Sequence, residues 1–544
     1  MDAVMTLAFS NCRLNPASRE LMRDGKVVPI EPKAFDLLMY VIRNHHRAVG
    51  KDELQDKVWG TVVTDAALAR AVMKLRKAIG DKSGETSMIK TVPRFGYQFI
   101  ARLEEREPAD AATEDASRRR GIAVLPLVNM SGDPDNLYFS DGVAEEILNL
   151  LAKIPKLRVA SRTSSFAFRG SNKTVGEIAD ALNVDIVLEG SVRRSGDRVR
   201  VAMQLIDAKD DAHLWSEIYD RRLTDIFAVQ ADIAREVASA MGGNEAGNIR
   251  AYKATDNPQA YDFYLRGLQL YHLMDRGCLL RARQMFERAI EIDPDYAKAW
   301  AGLANAASMT YMWYERSDEL LELADQASMR ALDLAPNLAE SHTARAFTLT
   351  LLKSFRAATE EFERALELDP QLYEAWYLYA RSRFAEGNHE EAARLFEQAG
   401  RIRPDDYQSV GLAATSYIAL KDSLHAKSLA IEAVRRAEHH LQLNPEDTRA
   451  WTLGACNLEE IGEYDRGKEW IEKAIAIAPD DIGVLHNAGC FYAAAGEIDR
   501  ALDLFERRLE LGDIYQEWID NDADFDSIRD HPRFLAMLAK RRTD

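Results

Sequence analysis

Asp65-Ala-Ala-Leu-Ala-Arg-Ala-Val-Met-Lys-Leu-Arg-Lys-Ala-Ile-Gly80, followed by Ile89-Lys-Thr-Val-Pro-Arg-Phe-Gly-Tyr-Gln-Phe99, decides how the first hundred residues fold. Leu68, Val72, Leu75 and Ile79 recur every three or four residues, so the first run predicts a helix with one apolar stripe. Arg70, Lys74 and Lys77 fall on a different face of that helix, with Arg76 at its border. The second run holds β-prone residues on both sides of Arg94 and Gly96, which predicts a tight hairpin with those two at its tip and Gly96 supplying turn freedom. A cationic helix face fits the major groove of duplex DNA, and an arginine on a hairpin tip reaches the neighbouring minor groove. The expected DNA-binding residues are Arg70, Lys74, Arg76, Lys77 and Arg94, in a winged helix-turn-helix of mixed α and β structure.

The flanking sequence agrees with this reading. Phe35–Ile42 and Lys51–Trp59 predict two more amphipathic helices, with Trp59 as a core anchor, and Thr6–Phe9 and Val27–Ile30 predict amino-terminal strands. On Pro32-Lys-Ala-Phe-Asp-Leu-Leu38, Glu53-Leu54, Val58-Trp59, Leu75-Arg-Lys-Ala-Ile-Gly80 and Thr91-Val-Pro-Arg-Phe-Gly-Tyr97, residues 6–103 resemble the OmpR/PhoB-type winged-helix domain. The resemblance implies sequence-specific binding to double-stranded DNA. It lays the family's base-reading arginine on Lys74 and its apolar base contact on Arg70, and it puts Pro93-Arg94 where the family's wing often carries Arg-Gly.

A net charge of −18 over 544 residues argues, taken whole, against a nucleic-acid partner. The distribution reverses that. Residues 1–103 hold 17 Lys and Arg against 11 Asp and Glu, a balance of +6, and the remainder carries −24. A basic head on an acidic body is the asymmetry expected when one module meets phosphate. Cys12, Cys278, Cys456 and Cys490 are far apart and form no Cys-x-x-Cys pair, which favours reduced thiols. No basic start followed by an apolar run opens the chain, and no apolar run nears the ~20 residues a spanning helix needs. The expectation is a cytoplasmic chain with no membrane partner.

Residues 104–120 hold no large apolar side chain and predict a flexible tether. Membrane-anchored relatives of the CadC kind carry a transmembrane helix at this place; here the sequence puts charge. Residues 121–242 alternate predicted strands and helices: Ile122–Leu127, Val143–Ile154, Arg158–Ser161, Val175–Leu182, Asp185–Val192, Arg198–Ile206 and Ile226–Met241, an α/β domain with a mixed sheet. On Leu188-Glu-Gly-Ser-Val-Arg193, Gln204-Leu-Ile-Asp207 and Leu214-Trp-Ser-Glu-Ile-Tyr-Asp220 this segment resembles the amino-terminal domain of TolB and the domain of adenylate-cyclase-associated proteins. It carries no cyclase active-site motif. Ser161-Arg-Thr-Ser-Ser165 follows a predicted strand and reads as a polar loop, with a small-ligand or anion site as the alternative.

Pro294, Pro336, Pro370, Pro404, Pro445 and Pro479 each end an apolar helical run, at spacings of 42, 34, 34, 41 and 34. Thirty-four is the tetratricopeptide (TPR) period. About seven repeats are expected over residues 257–515, an all-α solenoid, with a closing cap at 516–544 and insertions around Tyr311–Ser317 and Lys421–Lys427. The groove-facing positions fall on Glu340, Thr343 and Phe347, on Glu374, Tyr377 and Arg381, and on Arg449, Thr452 and Cys456. Phe347, Tyr377, Arg381 and Arg449 are the expected partner-binding residues, suited to a protein segment or peptide more than to a small metabolite. Residues 257–544 carry 33 cationic and 51 anionic side chains, which favours a basic or neutral partner; self-association through the groove is the alternative occupant.

No catalytic, cofactor or metal motif is expected. Gly462-Glu-Tyr-Asp-Arg-Gly-Lys468 has the spacing of a phosphate-binding loop, but Glu469 stands where a hydroxyl is needed and the segment is a turn between repeat helices. Asp520–Asp526 lacks the glycine of a calcium loop, since Phe525 occupies its place. The order of winged helix, α/β domain and TPR array resembles the HilA-like, cytoplasmic branch of transcription regulators. The expected function is a DNA-binding regulator whose TPR region binds a protein partner; the rival is a TPR scaffold or adaptor with secondary DNA binding. Because the winged helix begins near residue 6, with no receiver domain ahead of it, control other than aspartyl phosphorylation is expected.

Overall fold

Backbone pairing in the computed structural model starts with a meander of four short strands, β1 (Thr6–Phe9), β2 (Cys12–Asn15), β3 (Glu20–Arg23) and β4 (Lys26–Val28). The structure describes residues 6–9, 12–15, 20–23, 26–28, 32–44, 47–59, 65–81, 88–92, 95–101, 103–106, 120–154, 157–241, 254–512 and 515–540, and divides into two units, residues 1–118 and 119–544. In the first unit the helix Pro32–Arg43 follows the meander. A second sheet joins β5 (Val49–Gly50), β6 (Ile89–Val92) and β7 (Gly96–Phe99) in the order β5-β7-β6. Between β5 and β6 come the turn of helix Lys51–Leu54, a wide π turn at Gln55–Trp59, and the helix Asp65–Ile79. Leu68, Val72, Leu75 and Ile79 are all buried against Phe35, Leu38, Val41 and Leu54, so the apolar stripe does form the core face. The side chain of Trp59, the expected anchor, lies outside the described residues.

One expectation fails at the end of this unit. Leu103–Arg106 is a strand, β8, that pairs antiparallel with β1 from Thr6↔Arg106 to Phe9↔Leu103, where residues 104–106 were expected to begin the tether. A ladder satisfies backbone groups whatever the side chains are, so a charged edge strand escapes a search for apolar runs.

In the second unit a six-stranded mixed sheet comes first. β9 (Arg120–Val124) lies between β11 (Leu157–Val159) and β12 (Ile186–Ser195), all parallel; β13 (Arg198–Asp207) and β14 (Ala212–Arg222) continue antiparallel, and β10 (Val128–Asn129) pairs with β12. Helices Leu137–Ala152 and Ile226–Ala240 pack on it. The polar loop expected at 161–165 is instead the capped start of a short helix, Arg162–Phe166: the Ser164 N–H donates to Ser161 Oγ at 3.1 Å. Ser164 Oγ also donates to Asp405 at 2.7 Å, so this turn fastens the α/β domain to the solenoid. A second fastening comes from the 137–152 helix, where Glu146 pairs with Lys298 at 3.0 Å and Glu145 lies 2.8 Å from His272.

Seven helix pairs follow, from Pro258–Leu273 to Ile498–Leu511. Proline stops a helix and leaves a carbonyl to satisfy. Trp300, Trp376 and Trp451 each donate an indole N–H at 2.9 Å to the carbonyl of the proline six residues earlier, and His342 Nε2 meets Pro336 O at 2.9 Å in the same place. The pairing recurs at four of the six prolines; Val410 and Leu485 take the place after Pro404 and Pro479. The expected insertions lengthen helices: Ala297–Trp313 and Asp318–Leu334 have 17 residues each and Ser423–Leu443 has 21, against 13 and 14 in the pairs from 339 to 402.

The closing segment does more than cap. Phe525 and Phe534 seal the last pair against Phe505. The helix Gln516–Asn521, however, lies on the inner side of earlier repeats: the Tyr515 hydroxyl donates to Thr350 O at 3.3 Å, Asn521 Nδ2 to Ala385 O at 2.8 Å, and Trp518 packs 4.9 Å from Trp313.

Candidate nucleic-acid interface and concave cavity

The helix Asp65–Ile79 turns one side to the core and the other to solvent. Arg70, Lys74 and Lys77 are exposed on that outer side, as is Met73. Arg76 has a different place. Its Nη2 donates to Ile89 O at 2.7 Å and to Thr91 Oγ1 at 2.9 Å, and its Nε faces Asp81 at 3.4 Å. Asp81 is buried and accepts the N–H groups of Met88 and Ile89 at 2.7 and 3.2 Å. Arg76 and Asp81 thus fasten the hairpin to the end of the helix, and Arg76 acts there as a positioning residue. Arg23 closes the helix from the other side, donating to the carbonyls of Lys77 and Ala78 at 3.1 and 3.0 Å.

Among the described residues of the hairpin, Lys90, Thr91 and Phe95 are exposed; Arg94 lies outside the described residues. Sequence reasoning passed over Lys90, although the alternation of Ile89-Lys-Thr-Val92 turns it outward. Gly96 is not the turn glycine that was expected. It is the first residue of β7, paired with Gly50 on one side and Val92 on the other. A Cβ there would come 1.9 Å from Val49 O, so glycine is required by close approach of two backbones.

On the concave face, the structure gathers Tyr377, Arg381 and Arg449. The Tyr377 hydroxyl accepts from Arg381 Nη1 at 3.2 Å and from Arg449 Nη2 at 3.3 Å. The Arg381 guanidinium lies 4.6 Å from the Trp518 ring and 5.7 Å from that of Trp313. Phe347 does not join them: it is 2% exposed, inside a core cluster that includes Met312, Tyr515 and Trp518. The closing segment covers this stretch of groove, which no repeat pattern announces. Thr343 and Thr452 are likewise buried, each with its hydroxyl bonded to its own helix. Glu374 pairs with Arg403 at 2.6 Å, and burial pushes the Cys456 thiol well up. A cavity of about 600 Å³ opens beside Tyr377, Arg381 and Arg449, with Trp313, Tyr373 and Asn487 in its wall. Among the described residues, no group of three or more His, Cys, Asp or Glu is placed to hold a metal ion, and no helix is long and apolar enough to cross a membrane.

Comparison with known proteins follows the same division. Residues 25–99 match the family described as "Transcriptional regulatory protein, C terminal", and residues 349–415 and 448–481 match tetratricopeptide repeat families. The chain carries an OmpR/PhoB-type transcription-regulator domain in its amino-terminal part and TPR repeats in its carboxy-terminal part. It is 36% identical over 270 residues to a Rhizobium meliloti protein named "Putative adenylate cyclase 3", covering 48% of this chain and 45% of that one. It is 21% identical to the transcriptional regulator HilA of Salmonella typhi, over 71% of this chain and 68% of that one. It is 29% identical to the transcriptional activator CadC of Escherichia coli K12, over 16% of this chain and 17% of that one. The chain thus spans less than half the length of the first and last of these relatives.

Proposed function

We propose that this chain is a cytoplasmic, sequence-specific DNA-binding transcription regulator, without a catalytic step of its own, whose TPR region takes up the regulatory signal from a protein partner. The reading rests above all on the 65–79 helix, which buries Leu68, Val72, Leu75 and Ile79 while exposing Arg70, Lys74 and Lys77 beside an anchored hairpin. That arrangement offers cations to phosphates and base edges together. The relatives named as transcription regulators support it. In this reading Lys74 reaches a base edge from the middle of the exposed face, and Arg70, Lys77 and Arg94 contact the backbone or the groove edge. Arg76 contributes to DNA binding through the hairpin it holds.

The test is selection of duplexes from a random library by the full chain, followed by titration of selected and shuffled sequence. Lys74→Ala is expected to cost about 1–3 kcal/mol on the selected site and much less on the shuffled one. Equal losses on both would assign Lys74 to the phosphate backbone.

A further inference from the structure

We infer that the cavity on the concave face is a binding site for a small oxyanion, a carboxylate- or phosphate-bearing metabolite gripped by Arg381 and Arg449. This concerns binding to the solenoid alone and does not depend on what the DNA-binding head does.

Two guanidinium groups converge on one phenol oxygen, that of Tyr377. Arg381 otherwise meets the rings of Trp518 and Trp313 and the sulfur of Met312, and Arg449 meets the ring of Trp313. The Nε of Arg449 is buried without a hydrogen-bond partner. Among the described residues, neither arginine forms an ion pair with a carboxylate, whereas most arginines of the solenoid do. Four of the six acids in the cavity wall, Asp405, Asp406, Asp447 and Asp481, are engaged by other groups, Asp275 takes the N–H of Cys278, and Glu446 is exposed to solvent. Asp447 takes His440 at 2.7 Å and the N–H groups of Arg449 and Ala450; Asp406 takes those of Gln408 and Ser409; Asp481 takes that of Val484; Asp405 takes the hydroxyl of Ser164.

His486, which lines the adjoining hollow, faces the same cations. Its Nδ1 is buried and unpartnered, and burial together with Arg508, Arg381 and Arg449 holds its pKa down to about 3. Arg381, Arg449 and Arg508 thus all act on one buried imidazole, and the first two face the cavity without a carboxylate of their own among the described residues. Buried like charges with open donors call for a counter-ion that accepts several hydrogen bonds in a plane, and carboxylate and phosphate oxygens match the guanidinium fork. The volume of about 600 Å³ fits a metabolite, not a bare ion, and the Trp313 ring offers its body an apolar wall. Trp518 bounds the arginines on their other side, which favours a compact molecule over a peptide running along the groove.

Calorimetric titration of the full chain with inorganic phosphate, adenosine monophosphate, benzoate and uncharged adenosine tests this. At least one of the anionic probes is expected to saturate at one per chain, and adenosine is not. Phosphate-bearing probes binding alone would identify a phosphate ester, and benzoate alone a carboxylate. Arg381→Gln and Arg449→Gln should each weaken the binding by about tenfold or more, with unchanged circular dichroism. Should either glutamine variant fail to fold, Arg449→Lys, which keeps the charge and loses the fork, should still weaken binding. No saturable binding by any anionic probe, equal binding of adenosine, or folded arginine variants that bind as wild type would overturn the inference.

Discussion

A methyl group at Gly96 would meet the Val49 carbonyl oxygen at 1.9 Å, so the residue that holds the hairpin against β5 cannot grow a side chain. Gly96→Ala should therefore destabilise the amino-terminal unit by more than about 2 kcal/mol, read as a lower melting temperature, and weaken binding to every DNA sequence alike. Asp81→Asn is milder. It keeps one acceptor oxygen where Met88 and Ile89 use two, and it loses the charge that faces Arg76, at a cost of about 1–3 kcal/mol in the same melt. An unchanged melting temperature in both variants would refute the fastening assigned to the pair. At this scale the sequence is half legible. The spacing of Leu68, Val72, Leu75 and Ile79 shows which face is buried and so which cations are outside. It cannot show that Arg76 bends to the carbonyl of Ile89, because that contact depends on where the hairpin returns. Nor does it show that Gly96 answers to a neighbouring strand and not to a turn.

The helix pairs of the solenoid were readable because one local pattern recurs along them, and in three of them an indole bonds the proline carbonyl as Trp376 does that of Pro370. The 516–521 helix was not. Its partners, Thr350 and Ala385, lie more than a hundred residues away and show no periodic mark. Beyond it, burial and mutual repulsion push Asp522 well above the carboxylate range, and burial pushes Asp524 up to about 6, near Glu459, Glu460, Arg529 and the thiols of Cys456 and Cys490. A raised folded-state pKa favours the docked segment below the unfolded value, near 4, and this contribution is lost as pH rises through about 6. Amide exchange across residues 515–530, corrected for intrinsic rates, should show stronger protection at pH 5 than at pH 8. Equal or reversed protection would mean that these carboxyls stay charged in the docked state.

Charge divides the whole molecule as its chemistry does, with +6 over residues 1–103 and −24 over the rest. The acidic body discourages indiscriminate coating of DNA and leaves attraction to the head. Affinity of the full chain should accordingly fall steeply with salt, log affinity dropping by about 0.9 per phosphate contacted for each decade, and Lys77→Ala should flatten the slope by about one contact. A slope unchanged in that variant would take Lys77 off the phosphate backbone. The order of modules was visible in the sequence, whereas the attachment of the α/β domain through Ser164 and Glu146 was not, since polar contacts between domains leave no pattern in either one. The central claim, that the 65–79 helix directs this chain to chosen DNA sequences, is tested most directly by mapping where the protein sits along the genome of its own cell, wild type against Lys74→Ala. Wild-type protein should occupy discrete sites that share one sequence pattern, and the variant should lose those sites at equal abundance. Occupancy spread without a shared pattern, or sites kept in full by the variant, would contradict it.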